Sequence, residues 1–356
     1  MTFKRAWIPA IVAPAVVVAG GILIPTMANA ASAPPDKTAA EVLTLIAHSH
    51  GAHYSGTVEQ SSDLGLPQLP VSMQKPSASG GFDAASVLQL VTGSHTAKVY
   101  VDGQTRQRVQ LLDTLSERDL IHDGTSMWTY DASHHTATHV SASAAQAKGR
   151  MPQDATPAAL ADRMIASIQP STDVTVSTGT DLGRGVYLLR LAPKTTATLV
   201  GDVVVTVDAQ TGVPLAVRVD ARHQSTPAIS VAFSSFDTGR PAASVFAFTP
   251  PHGTTVKQVS LPGDLPKKAP VDKAGLPQPT VIGTGWTTVV KVPAGKLSAQ
   301  ATAGLGANGS ALLGELTQRV NGGRILQTSL FTVYLRDDGT VYAGAVPAAT
   351  LLAAAK

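Results

Sequence analysis

Apolar and polar residues alternate along much of this chain with a period of two. Val99 and Val101 fall on one side of an extended segment, while Lys98 and Tyr100 fall on the other. Val109 and Leu111 oppose Arg106, Arg108 and Gln110 in the same way. The pattern returns later: Tyr187, Leu189 and Leu191 oppose Arg190, Leu215, Val217 and Val219 oppose Arg218 and Asp220, and Ile229, Val231 and Phe233 oppose Ser230 and Ser234. It predicts a first set of strands over Tyr54–Gln60, Thr96–Val101, Thr105–Leu112, Arg118–Asp123, Ser126–Asp131 and Thr136–Ser141. A second set covers Asp173–Ser177, Val186–Leu191, Thr198–Asp208, Val213–Ala221, Ala228–Phe236 and Val245–Thr249. Asp102-Gly103, Asp123-Gly124 and the run from Asp208 to Gly212 supply hairpin turns. About eleven strands in one sheet must curl or split, and the alternation gives that sheet one wet and one dry face.

Three amphipathic helices are available to cover the dry face. The first runs from Thr38 to about Ser49; Thr38 and Glu41 form a capping box, and Ala39, Val42, Leu43 and Ile46 share one stripe. A second, Ala84 to Thr92, is capped by Asp83 and stopped by Gly93. A third runs from Pro157 to Ile168 after the cap Thr156, with Leu160, Met164, Ile165 and Ile168 on one face. Between the first two, Ser61 to Gly81 reads as a long loop. Either the helices fill the dry side as an ordinary core, or they leave a greasy cavity for a ligand. After the strand sets, Pro262 to Pro279 carries five prolines and reads as a linker. Beyond it the pattern predicts a strand near Gly285–Val292, a helix Ala311–Val320, strands Ile325–Leu335 and Thr340–Ala345, and a short helix from Pro347.

The N-terminus changes the picture of where the chain acts. Lys4 and Arg5 precede an apolar run, Trp7 to Ile24, and Ala28-Asn29-Ala30 offers a small-x-small cleavage site. Residues 1–30 therefore read as an export signal; the alternative is an uncleaved anchor over residues 7–25. The protein is expected outside the cytoplasm, in the cell envelope or secreted. Of the net charge of +3, Lys4 and Arg5 supply two, and no basic run of five occurs, so a nucleic-acid partner is not expected. The absence of Cys excludes disulfides, thiol catalysis and cysteine-bound metal.

Chemical motifs are sparse. His48, His50 and His53 cluster after the first helix, and His134, His135 and His139 around a hairpin turn, but no carboxylate or Cys completes either set at ligand spacing. Solvated turn histidines are the better reading, with no metal and no cofactor. No Gly-x-Ser-x-Gly and no phosphate loop occurs. Asp337-Asp338-Gly339 is a turn signature rather than a catalytic pair. The chain reads as a binding protein and not an enzyme, and as a monomer.

Three segments carry a resemblance. Tyr54-Ser-Gly-Thr-Val-Glu-Gln60 resembles the first strand of the bacterial lipoprotein carrier family LolA. Asp123-Gly-Thr-Ser-Met-Trp128-Thr-Tyr130-Asp131 is similar to that family's Asp-Gly-x-x-x-Trp-x-Tyr hairpin, and Phe246-Ala-Phe-Thr-Pro-Pro-His-Gly253 to its closing Phe-x-Phe-x-Pro-Pro-x-Gly motif. Their order and spacing agree over roughly residues 38–260. The same fold resembles the N-terminal domain of RseB and mycobacterial lipid-carrying lipoproteins. A version with a similar C-terminal extension, including the run Asp337 to Val346, occurs in high-GC Gram-positive bacteria. The proteobacterial carrier's Arg-Pro hand-off pair has no counterpart, since Tyr100 to Thr105 contains neither residue.

The resemblance implies an α+β architecture: a strongly curved, unclosed antiparallel β-barrel with helices covering the concave side, plus a small C-terminal α+β extension. The domains would be 38–260, a Pro-rich linker 261–280, and the extension 281–356. It implies a lipid or lipoprotein acyl chain as ligand, or an RseB-like sensor role with a membrane-protein partner. The cavity lining expected is Val99, Val101, Val109, Leu111, Trp128, Tyr130, Tyr187, Leu189, Leu215, Val217, Val231 and Phe233.

Overall fold

The computed structural model describes residues 33–66, 93–113, 116–141, 170–260, 279–294 and 314–356. The export segment 1–30, the helices expected at 84–92 and 157–168, and most of the 61–81 loop and the Pro-rich linker lie outside these residues.

The first element is helix α1, Ala39–His48. Its capping box forms as the sequence implies: the Glu41 amide donates to Thr38 Oγ1, and the Thr38 amide donates to the Glu41 carboxylate at 2.7 Å. Strands β1 (His53–Ser62), β2 (His95–Asp102), β3 (Arg106–Asp113), β4 (Ser116–Asp123), β5 (Ser126–Asp131) and β6 (Thr136–Ser141) follow as a meander. Gly103 and Gly124 take positive φ values of 71° and 63° at the Asp-Gly turns, a conformation that only glycine adopts cheaply. Strands β7 (Thr172–Asp181), β8 (Arg184–Pro193), β9 (Val200–Asp208), β10 (Pro214–Ala221) and β11 (Pro227–Asp237) form a second meander, and β12 (Thr255–Ser260) closes the set.

These twelve strands make one large curved sheet in the order β12-β6-β5-β4-β3-β2-β1-β11-β10-β9-β8-β7. All pairs are antiparallel except β12 with β6, which is parallel. The central join is β1 with β11, where a bulge at Thr57/Val58 shifts the register. The strand expected at Val245–Thr249 is absent. Ala243–Val245 form a 3₁₀ turn, and the Val245 carbonyl accepts from Arg108 Nη1 at 3.0 Å instead of joining a ladder. Pro250 and Pro251, which cannot donate, separate this turn from β12.

A second, six-stranded sheet has the order β13-β14-β18-β17-β16-β15. Its strands are β13 (Thr280–Ile282), β14 (Val289–Val292), β15 (Gln318–Val320), β16 (Gly323–Gln327), β17 (Thr332–Arg336) and β18 (Val341–Gly344), and helix α2 (Ala348–Ala354) packs on it. Three expectations are corrected here. Ile325–Leu335 is a hairpin rather than one strand, because Thr328 Oγ1 accepts from the Leu330 and Phe331 amides and turns the chain. Gln318–Val320 is a strand rather than the end of a helix. Gly285–Thr287 is a 3₁₀ turn, so the strand starts only at Val289. Among the described residues no helix is long and apolar enough to cross a membrane.

Candidate functional site: an uncharged face of the large sheet

Residues that pair directly across antiparallel strands share a face. Val99 pairs with Val109, Tyr187 with Val207, Leu189 with Val205, and Val217 with both Val205 and Val231. Phe233 pairs with Val58, and Val58 with Ala97, so the rows of β7–β11 join those of β1–β3 on one continuous face. Among the described side chains of β1–β3 and β7–β11, none on that face carries a formal charge. The charges stand on the other face, and several are paired there. Arg190 meets Asp202 at 2.7 Å, Arg218 meets Asp220 at 2.9 Å, and Arg108 meets Asp119 at 2.6 Å.

Among the described residues the uncharged face is covered in two places. At β7–β9, α1 lays Val42, Leu43, Leu45 and Ile46 on Tyr187, Leu189 and Val207. Gly212 lets the β9–β10 turn approach this helix: its φ is +72°, and a Cβ would sit 2.2 Å from the Leu45 carbonyl oxygen. At the opposite end of β9–β11, the C-terminal unit packs Leu330, Phe331 and Trp286 against Val200, Val219, Ala228 and Ile229. Its backbone is tied in as well, with Leu199 N–H donating to Ala345 O and Ser329 N–H to Leu64 O, both at 2.9 Å.

Elsewhere the face stays open. Val217 is 37% exposed, Val231 39%, Met127 41% and Leu120 45%. A shallow, wholly apolar pocket of about 110 Å³ is lined by Val58, Leu215, Val217, Val231 and Phe233, with Pro214, Ala216 and Ala232. Beside it an aromatic cluster joins Tyr54, Phe233 and Phe236, with ring centroids 5.2–6.0 Å apart. Burial pushes the Tyr54 phenol above its ordinary pKa. A larger hollow of about 320 Å³ includes Glu59, Ser61, Thr96 and Ser230 of the opposite face in its lining. Its polar rim does not suit an aliphatic guest.

The expected lining residues divide into three groups. Val99, Val101, Val109, Leu111, Val217, Val231 and Phe233 stand together on the open face, and buried Leu215 lines the pocket beside them. Tyr187 and Leu189 share that face but are 1% and 2% exposed beneath α1, so they are core. Trp128 and Tyr130 stand on the opposite face, because Thr129 between them pairs with Leu120, and Leu120 with Val109. There Trp128 stacks on His139 at 4.2 Å, and both Trp128 and Tyr130 pack against Phe248, at 5.4 and 5.5 Å. The Trp-x-Tyr hairpin and the Phe-x-Phe segment thus clamp each other on the charged side. Arg106 adds a cation over Phe246 at 5.7 Å, and buried Asp119 fixes Arg108 beneath the same segment. Burial raises the Asp119 carboxyl above its usual pKa despite the neighbouring Arg108.

Sequence reading missed Val58, Leu120 and Met127. Each lay in a predicted strand, but Met127 is adjacent to the more conspicuous Trp128. Among the described residues no group of three histidines or acids is placed to hold a metal. His139 meets Ser126 and Gln258, and His134 meets Asp131 and Ser133.

No family model and no curated protein matches the chain. Among solved structures it is similar to the MucA/MucB complex of Pseudomonas aeruginosa, at 13% identity and a TM-score of 0.44, covering 89% of this chain and 96% of that one. It is also similar to a LolA-superfamily protein from Nitrosomonas europaea, at 10% identity and 0.25, covering 60% and 99%. A conserved protein from Thermus thermophilus gives 10% and 0.35, covering 63% and 100%. At these identities and scores the likeness carries no argument, and the ligand has to be argued from the face itself.

Proposed function

We propose that this chain is an exported, non-catalytic protein that holds an aliphatic chain of a lipid or lipoprotein on the uncharged face of its large sheet. The observation that carries the reading is the separation of charge. Every formal charge on β1–β3 and β7–β11 whose side chain is described is turned away from a face whose aliphatic side chains remain more than a third open at Val217 and Val231. A monomeric protein has little reason to leave such a surface wet. Each methylene moved onto it from water contributes about 0.8 kcal/mol. The free pocket of about 110 Å³ is smaller than an ordinary ligand site of roughly 300–1,000 Å³. The guest would therefore lie along the face and be covered on its outer side. Native mass spectrometry of protein purified from a bacterial host should reveal co-purifying lipid, and a fluorescent fatty acid should bind. Repeatedly empty spectra together with no fluorescent binding would remove the reading.

An RseB-like sensor role is the second reading, and the docking of the C-terminal unit favours it. Phe331 and Trp286 border the same face, so a guest there would touch both units. Capture of a membrane-protein domain by the full chain, changed by added lipid, would support this role over carriage.

A further inference from the structure

Followed from the pocket toward β4, the uncharged face ends at Arg118, whose cross-strand neighbour on β5 is Asp131. Phe233 pairs with Val58, Val58 with Ala97, Ala97 with Leu111, and Leu111 with Arg118. This row crosses five neighbouring strands, so Arg118 stands four strand spacings, about 19 Å, from the Phe233 end. One leaflet of a bilayer's hydrocarbon is about 15 Å deep, half of roughly 30 Å. A single acyl chain of that length laid along the row therefore covers most of the distance between the apolar pocket and Arg118.

Arg118 is not committed to a structural partner in the way Arg108 and Arg184 are. Its side chain is 38% exposed, and its Nε lies 3.7 Å from the Asp131 carboxylate, too far for a hydrogen bond. Nε is moreover buried without a hydrogen-bond partner. Asp131 is already satisfied by its own turn. Its Oδ1 accepts from the Ser133 amide at 3.0 Å, the Ser133 hydroxyl at 2.6 Å and the His134 amide at 3.2 Å, while Oδ2 meets the His134 ring at 3.1 Å. By contrast, Arg184 grips both oxygens of Asp208. Arg108 is spent on Asp119 and the Val245 carbonyl. Past Arg118, the next cation on this face is exposed Lys257, on the outer edge strand β12. A guanidinium offers a planar fork of donors that matches a carboxylate or a phosphate.

We propose that Arg118 anchors the anionic head of an amphiphile, a carboxylate or a phosphate, whose acyl chain lies along Leu111, Ala97 and Val58 to the pocket at Phe233. This rests on the aliphatic-binding reading above and adds the polarity and orientation of the guest.

The test uses the full chain and three ligands with one tail: oleate, oleoyl lysophosphatidate and monooleoylglycerol. Each is titrated against an uncharged fluorescent apolar dye. Arg118→Gln should weaken one or both anionic ligands about tenfold, as expected for the loss of a charge-assisted hydrogen bond, and leave monooleoylglycerol unchanged. Arg118→Lys should recover part of the loss. The anionic ligand that loses more identifies the head as carboxylate or phosphate. Arg118→Gln affecting all three ligands alike, or none, overturns the anchor while leaving the aliphatic site intact. A wild-type chain that binds none of the three overturns both.

Discussion

Replacing Val231 with Asp separates a binding face from a core. Val231 is 39% exposed and sits between Val217 and Gln60 in the sheet. In the empty protein an aspartate there reaches water, so Val231→Asp should change stability by no more than about 0.5 kcal/mol, as at a surface position. With an aliphatic guest in place the same carboxylate is shut in. Loss of contact with two methylenes costs about 1.6 kcal/mol at roughly 0.8 each. Desolvating the carboxylate costs at least as much again. The sum, about 3 kcal/mol, is on the order of a hundredfold in affinity. Leu189→Asp is the comparator, because Leu189 is 2% exposed beneath α1 and a charge there should unfold the domain. Thermal melts followed by circular dichroism and titration with a fluorescent fatty acid give the two readouts. If Val231→Asp melts as low as Leu189→Asp, or binds the probe as the wild type does, the face is not a ligand surface.

Two further outcomes follow from the charged side. Burial alone would raise the pKa of Asp208, but hydrogen bonds from Arg184 and Thr211, with the Arg184 charge, outweigh it and hold the carboxyl below its usual 3.8. A depressed carboxylate contributes stability that is present at neutral pH and is lost as pH falls through the folded pKa. Asp208→Asn should therefore flatten the fall in the urea midpoint below about pH 4, and a variant that keeps the wild-type slope contradicts the assignment. Arg108→Ala strands the Asp119 carboxylate, whose side chain is 2% exposed, and frees the Val245 carbonyl. It should cost about 3–5 kcal/mol by denaturant titration, and R108A/D119N should recover part of that; a loss below about 1 kcal/mol would mean that the pair does not hold the 243–248 segment down.

Much of the architecture was legible because its causes are local. The Thr38–Glu41 box, the Asp-Gly turns and the alternation of Val99–Val101 or Tyr187–Leu191 are decided within a few residues, and each appears in the fold where the pattern put it. The misreadings came where a local pattern has two tertiary outcomes. Phe246 and Phe248 alternate like a strand but lie across Trp128 and Tyr130 instead of joining a ladder. Ile325–Leu335 is apolar enough for one strand, and only the Thr328 hydroxyl bends it into two.

For the site, the amino-acid order alone determined which residues share a side of each strand, since the pleat forces a period of two on any extended chain. It could not say which sides of different strands coincide. That depends on register, and a slip of one residue exchanges the faces. Pairing of Leu120 with both Val109 and Thr129 put Trp128 and Tyr130 opposite the valines. Pairing of Leu111 with Arg118 put a guanidinium that is only loosely paired with Asp131 at the end of the aliphatic row. Tertiary packing also decided which apolar residues are core, because α1 covers Tyr187 and Leu189 and leaves Val217 and Val231 open.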